Sequence, residues 1–280
     1  MRILVTGAAG MLGTDVLRAV EAAGHEPVPA TRDELDVTDA QEVESVVAIE
    51  RPEAVSNCAA FTDVDGAEAD PEGALAVNAD GARNVAAAAA AVGAAVVYPS
   101  TDYVFDGEKR EPYLESDATG PRSCYGESKL RGEHDTADAN PRHHVVRTSW
   151  LFGSSGKNFV DTMLSLARER DELRVVDDQV GCPTYTGHLA DGLVRLLLTE
   201  VYGVHHLAAA GQCSWYEFAR EIFTRAGVDV RVEPCTTEEF PRPAPRPRYS
   251  VLGTEHTGAP LLPSWQEGLD GYLAERTAAR

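Results

Sequence analysis

The sequence predicts an α/β chain: a doubly wound parallel sheet with a smaller C-terminal α/β lobe. Three observations lead there. Short apolar runs bounded by turn residues alternate with longer helical stretches, which is the rhythm of parallel βαβ units. A glycine-spaced loop, Thr6-Gly7-x-x-Gly10-x-x-Gly13, directly follows the first run and opens the first helical stretch. The 280 residues can bury a large core, and the composition changes after Trp150, dividing residues 1–150 from a second lobe of residues 151–280 with some segments returning to the first.

Arg2–Thr6 reads as the first strand, Met11–Ala23 as a helix and Glu26–Ala30 as the second strand. Further strands are expected at Ala54–Asn57, Ala94–Tyr98 and His144–Thr148, with a helix over Val85–Val92. Six consecutive alanines, Ala86 to Ala91, resemble low complexity. Alanine is nevertheless the strongest helix former and lets a helix settle closely on a sheet. In the second lobe, helices are expected at Phe159–Arg170, His188–Leu198 and Ser214–Ala226, and short strands at Arg174–Val176 and Val228–Val232. The segment Pro241-Arg-Pro-Ala-Pro-Arg-Pro-Arg248 stays outside regular structure, because its prolines lack a backbone donor and hold φ fixed. No repeat at a solenoid period is evident.

The formal charge of −20 leaves no general basic face for nucleic acid, while allowing a local basic pocket. Twenty-two arginines accompany only three lysines, Lys109, Lys129 and Lys157. An acidic, lysine-poor surface resembles that of proteins from salt-rich cytoplasm. Five cysteines, widely spaced and without a C-x-x-C pair, suggest neither a disulfide framework nor a zinc site. With no basic and apolar leader pattern at the start and no apolar stretch of spanning length, a cytoplasmic protein is expected, away from membranes.

Glycines at 7, 10 and 13 between a strand and a helix allow a tight turn, close approach of a pyrophosphate and close helix packing, with the helix N-terminus facing the phosphate charge. This context predicts a Rossmann-like dinucleotide site. After the second strand the chain reads Pro29-Ala30-Thr31-Arg32, with no carboxylate at the point where adenosine ribose hydroxyls are held. Arg32 can meet a 2′-phosphate, favouring NADPH over NADH, or stand as a solvated loop charge, and nearby Asp33 leaves NADH open. Asp36-Val37 and Asn57-Cys-Ala-Ala60 follow the next turns, placed to line the adenine and the nicotinamide-side ribose.

Tyr125 and Lys129 stand four apart, so on a helix they share one face. A lysine ammonium and a positive nicotinamide would pull the phenol toward working pH, allowing Tyr125 to exchange a proton with a substrate oxygen. Thr101, at the end of the strand beginning near Ala94, is placed to hydrogen-bond a substrate carbonyl or the tyrosine oxygen. The pattern predicts hydride transfer to a ketone. His143-His144 and His205-His206 read as packing or surface residues flanking strands, and Trp215 and Tyr216 as core.

The chain resembles the extended branch of the short-chain dehydrogenase/reductase superfamily, and within it the dTDP-4-dehydrorhamnose reductase family, over nearly its full length. The resemblance is carried by Ser100-Thr-Asp-Tyr-Val-Phe-Asp-Gly107, Tyr125-Gly-x-x-Lys129-Leu-x-Gly-Glu133, Arg147-Thr-Ser-Trp150, Asn158-Phe159, Thr162-Met-Leu164, Asp178-Gln-x-Gly-x-Pro-Thr184 and Arg246-Pro-x-x-Ser250-Val-Leu252. It implies reduction of a 4-keto-6-deoxy hexose on dTDP to dTDP-L-rhamnose. It also implies that Thr101, Tyr125 and Lys129 form the catalytic set and that Asp102 and Trp150 hold the sugar. Gly10, Met11 and Leu12 match the phosphate loop, and Asp36, Val37, Ala60, Phe61 and Thr62 match further cofactor contacts. Pro99 stands where relatives can carry a tyrosine beside the cofactor, so that contact is not transferred. Some relatives bind magnesium through acidic residues at a dimer interface; Asp15 could take part, and a homodimer is compatible, but no motif supports the metal. Arg246, in the proline-rich segment, is the candidate for the substrate diphosphate, against a solvated turn.

Two other activities share these motifs. One is a nucleotide-sugar epimerase or dehydratase, against which Tyr103 argues, because similar dehydratases place an acid after Thr-Asp. The other is a non-catalytic regulatory subunit resembling the one that binds methionine adenosyltransferase, against which the intact Tyr125 and Lys129 argue.

Overall fold

The computed structural model describes residues 1–256 and 258–278. Its centre is a six-stranded sheet made of β1 (Arg2–Thr6), β2 (Glu26–Ala30), β3 (Ala54–Asn57), β4 (Ala95–Thr101), β5 (His143–Thr148) and a sixth strand, Gly203–His206. Every pairing is parallel, and the order runs Gly203–His206, β5, β4, β3, β1, β2. The chain leaves β1 toward one edge to make β2, then returns to add β3, β4 and β5 on the other side. The winding therefore reverses between β1 and β3, and the crevice at their C-terminal ends is where such sheets bind ligands. β2 is an edge strand for a visible reason: Pro27 and Pro29, paired with Ile3 and Val5, lack the donors that an interior strand needs.

Both faces of the sheet are covered, which explains the unbroken apolar strands. On one face Ile3, Val5, Leu12 and Val16 pack with Leu189, Leu193 and Leu197 of the helix Thr186–Leu197. On the other, Leu4, Val55 and Val96 meet Val43 and Val47 of the helix Ala40–Glu50 and Val85, Ala86 and Ala89 of the helix Gly81–Ala91. A second core gathers Phe152, Leu173, Phe218, Ile222, Trp265 and Leu269. Around it, Glu172–Val176 pairs in parallel with Arg231–Cys235.

The sequence misplaced several elements. The helix expected over Phe159–Arg170 ends at Leu166, where Arg168-Glu169-Arg170-Asp171 offers no apolar face to bury. The strand expected at Val228–Val232 begins at Arg231, because Gly227 closes the preceding helix at φ 64° and the Val228 amide returns to the Phe223 carbonyl. Ala40–Glu50 was not anticipated as a helix, having only two buried residues, Val43 and Val47, in an acidic stretch. The histidine pairs expected to flank strands lie within them: His143 and His144 open β5, and His205 and His206 close the sixth strand. His144 is fully buried against Tyr202 and His205, and burial pushes its imidazole down to about 4.

Candidate active site

The glycine loop sits at the end of β1. Gly7 has φ 61°, and a Cβ there would stand 2.7 Å from the Ala59 nitrogen, so β1 and the β3 loop meet backbone to backbone. Gly13 is buried in the first turn of the helix Met11–Ala22, where a Cβ would overlap the Gly7 carbonyl oxygen. Gly10 caps that helix without any side-chain hydrogen bond. The first-turn amides are thus offered to an anion, with the helix dipole behind them.

The loop after β3 is held from the other side. Thr6 donates to Asn57 Oδ1 at 2.6 Å, tying β1 to β3. Phe61 donates its amide to Asn78 Oδ1 at 2.9 Å, while Asn78 Nδ2 donates to the Phe61 carbonyl at 3.1 Å and to Ser128 Oγ at 2.9 Å. Asn78 therefore couples the predicted cofactor contacts Ala60, Phe61 and Thr62 to the helix Cys124–Ala139 that carries Tyr125. Sequence reasoning missed it, because Asn78 lies in a π-helical turn, Ala76–Asp80, that leaves no periodic signal.

Ser123 caps the helix Cys124–Ala139 by accepting from the Gly126 amide at 3.1 Å. The helix approaches the sheet at Gly132, where a Cβ would meet the Asn78 carbonyl and the Tyr98 hydroxyl. Tyr125 and Lys129 face β4. The Thr101 hydroxyl contacts the Tyr125 phenol, whose ring lies edge-on to Tyr103 with centroids 5.8 Å apart. Lys129 is buried, donates to the Pro99 carbonyl at 2.7 Å and places Nζ 3.9 Å from the Tyr98 ring centroid. Burial pushes Tyr125 up to about 12, Thr101 opposing, and pushes Lys129 down to about 7, with Glu133 and Cys58 opposing. Burial governs both groups in the protein alone, with Lys129 donating to Pro99 beside the Tyr98 ring; the lowering expected of the phenol calls for the positive nicotinamide as well as Lys129. The phenol is protonated at neutral pH, the form that can donate.

Asp102 opens a short 3₁₀ turn and is buried. Its Oδ1 accepts from Thr101 Oγ1 at 3.1 Å, and Ser250 lies beside it, yet Oδ2 and the Ser250 oxygen lack a well-formed partner. Burial pushes Asp102 up to about 7, against the hydrogen bonds from Ser250 and Thr101. Because that value lies above the ordinary 3.8, this group's contribution to stability is present in full below 3.8 and lost as pH rises through about 7. Asp102→Asn cannot ionise. Its thermal midpoint is expected to gain on that of the unsubstituted protein between about pH 4 and pH 7 and to level off above; parallel melting curves across that range would contradict the burial argument.

Trp150 adopts φ 49°, left-handed and costly for a bulky residue, and its indole stacks on Trp215 with centroids 3.5 Å apart and planes 4° from parallel. Gly181 passes against the indole where any Cβ would overlap it. Trp215, expected as core, packs on the second core and also lines a cleft of about 770 Å³. Tyr103, Phe159, Met163, Arg174 and Arg246 share that lining. Arg246 is ion-paired rather than free: it donates to Asp65 Oδ1 at 2.5 Å and to the Ala244 carbonyl at 2.7 Å. Arg242 grips the other Asp65 oxygen at 2.7 Å. Burial opposes ionisation of Asp65, but the bond from Arg246 leads the contacts that hold it down to about 2.

The remaining predicted contacts are more dispersed. Arg32 and Asp33 are exposed just beyond β2. Asp36 spends one carboxylate oxygen on the Thr38 amide and hydroxyl, at 2.9 and 2.8 Å. Val37 is buried against Gly81, presenting its side chain to the core. Asp15 accepts from Thr186 at 2.5 Å and pairs with Arg18 at 3.2 Å. Among the described residues no group of three or more His, Cys, Asp and Glu side chains is placed to hold a metal ion, and no helix is long and apolar enough to cross a membrane.

A family model described as RmlD substrate binding domain matches residues 1–278. A dTDP-4-dehydrorhamnose reductase from Streptomyces griseus is 43% identical over 278 residues, covering 96% of this chain and 91% of that protein. The chain belongs to the dTDP-4-dehydrorhamnose reductase family. Two solved structures of the family share its fold over almost every residue. That of a dTDP-4-dehydrorhamnose reductase ortholog from Clostridium acetobutylicum superposes with a TM-score of 0.96 at 46% identity, covering 99% of this chain and 100% of that one. That of the Bacillus anthracis family member, in complex with NADP, gives 0.94 at 42% identity over 98% of this chain and 99% of that one. The uncapped helix N-terminus and the two glycines whose Cβ atoms would fill the turn suit such a dinucleotide.

Proposed function

We propose that the chain reduces the 4-keto group of dTDP-4-dehydro-L-rhamnose with NADPH, giving dTDP-L-rhamnose. The observation that carries this reading is the meeting of Thr101, Tyr125 and Lys129 at the C-terminal end of β4, where Tyr103, edge-on to Tyr125, joins aromatic and arginine side chains in lining a cleft. Met11, Leu12 and Gly13 hold the pyrophosphate by their amides, Gly10, whose own amide donates to the Gly7 carbonyl at 2.9 Å, closes the turn beneath it, Gly7 lets the loop close on the β3 segment, and Ala60, Phe61 and Thr62 line the nicotinamide side. When bound, the reduced nicotinamide supplies the hydride that the ketone carbon accepts. Thr101 orients the substrate oxygen, and Tyr125 gives up its phenolic proton to the oxygen as it becomes a hydroxyl. Lys129 in its ammonium form favours the phenolate that remains. Asp102 and Trp150 hold the sugar, and Arg246 exchanges Asp65 for the substrate diphosphate.

NADPH oxidation by the purified protein, measured with the 4-keto-6-deoxy nucleotide sugar, tests the reading, and one cofactor should be consumed per product formed. Failure of turnover with intact NADPH binding would favour a regulatory role instead. A panel of 4-keto sugars on thymidine and uridine diphosphates separates this substrate from its relatives. In the same assay Arg32→Ala should raise the KM for NADPH by about tenfold and leave that for NADH nearly unchanged. Equal loss for both cofactors would remove Arg32 from the 2′-phosphate.

A further inference from the structure

Glu133 belongs to the tyrosine and lysine motif but has no part in the chemistry just described. It lies one helical turn beyond Lys129 and two beyond Tyr125, on the same face of the helix. Each member of that row meets one of three consecutive residues of β4. Lys129 takes the Pro99 carbonyl, Glu133 takes the Ser100 hydroxyl at 2.5 Å, and Tyr125 meets Thr101. Ser100 is the register partner of Arg147 in β5, as Thr101 is of Thr148. The Arg147 guanidinium grips the same carboxylate from its Nε at 3.0 Å and its Nη2 at 2.8 Å, both side chains being buried. One carboxylate therefore receives both members of a strand pair directly before the proposed catalytic threonine.

On the functional reading above, we propose that Glu133 is a positioning residue for proton transfer, locking β4 and β5 to the helix of Tyr125 and supplying the anion that keeps Lys129 charged. The groups around Lys129 support the second half. From its own helix it faces Tyr125 and Glu133, from β4 the Tyr98 ring and the Pro99 carbonyl, and from the β3 loop Cys58. Burial pushes the Cys58 thiol up to about 11, Tyr125 up to about 12 and Tyr98 well above its ordinary range, so all three are neutral at working pH. That leaves Glu133 as the anion opposing the desolvation of the ammonium. On the far side of the pair, Arg147 lies 5.0 Å from the Phe105 ring centroid and reaches the Glu115 carbonyl, with His206 beyond.

Glu133→Gln keeps the length and an acceptor for Ser100 while removing the charge. With only three lysines in the chain, lysine labelled with carbon-13 at Cε gives resonances few enough to assign and titrate in the intact protein. The Lys129 midpoint is expected to fall by roughly one pH unit in Glu133→Gln, and kcat to fall by about tenfold or more with NADPH binding retained. An unmoved midpoint, or wild-type kcat, overturns the proposal. Should Glu133→Gln not fold, Ser100→Ala keeps the charge and cuts only the tie to β4. A folded Ser100→Ala protein should lose about threefold or more in kcat with its Lys129 midpoint unmoved, and unchanged kcat overturns the proposal. No turnover by the unsubstituted protein would sink the assigned reaction instead, and the lysine titration would still decide the role of Glu133.

Discussion

Tyr125→Phe is expected to lower kcat by roughly 100- to 10,000-fold while NADPH still binds, the range that a positioned general acid contributes. Phenylalanine keeps the edge-on packing against Tyr103 and loses only the hydroxyl that touches Thr101. The substrate oxygen would then take its proton from water, without an oriented donor. Steady-state kinetics with a fluorescence titration of NADPH separate the two effects, and turnover within tenfold of the unsubstituted protein would remove Tyr125 from the chemistry. The pH profile carries a second signature. Tyr125, at about 12, remains a donor throughout the neutral range, whereas Lys129, pushed by burial to about 7, loses its ammonium as pH rises through that value. The alkaline decline in kcat should therefore track Lys129.

That assignment also explains the lysine content. Arginine replaces lysine almost everywhere in this chain, but it cannot serve at position 129. A guanidinium is always charged and presents a broad planar fork, while the space between the Tyr98 face and the Pro99 carbonyl takes a single ammonium nitrogen. The sequence pattern showed that Tyr125 and Lys129 share a helix face, and it showed the glycine turn, because both depend on local spacing. It could not show which way the lysine's pKa would move, since that depends on burial assembled from β4 and the β3 loop. Asn78 was invisible for the same kind of reason: its two anchoring partners, Phe61 and Ser128, lie 17 and 50 residues away. Arg246 was legible as a candidate cation, but its pairing with Asp65 spans 181 residues and leaves no local mark. The sixth strand escaped because four residues containing two histidines carry no apolar alternation, and only the open edge of β5 makes them a strand.

Gly13→Ala should disable the dinucleotide site more severely than its single added methyl suggests. The new Cβ would overlap the Gly7 carbonyl oxygen and stand 3.0 Å from the Ala8 Cα, and these are backbone atoms that no rotamer change can move aside. Relief requires the helix Met11–Ala22 to retreat from the turn, carrying its first amides away from where a pyrophosphate would lie. Gly7 cannot absorb the shift, because its own approach to Ala59 fixes the loop from the opposite side. A displacement approaching 1 Å at oriented donors costs on the order of 100-fold, and overpacking a filled site costs about 1–3 kcal/mol. The NADPH Kd is therefore expected to rise by roughly 100-fold alongside a lower denaturation midpoint. Gly24→Ala separates the two effects. Gly24 has φ 76° with open space where a Cβ would project, so alanine there costs about 1–2 kcal/mol of backbone strain without moving the cofactor loop. Equal NADPH affinity in Gly13→Ala and Gly24→Ala would show that the tight glycine turn serves packing alone, and the phosphate would have to be held elsewhere.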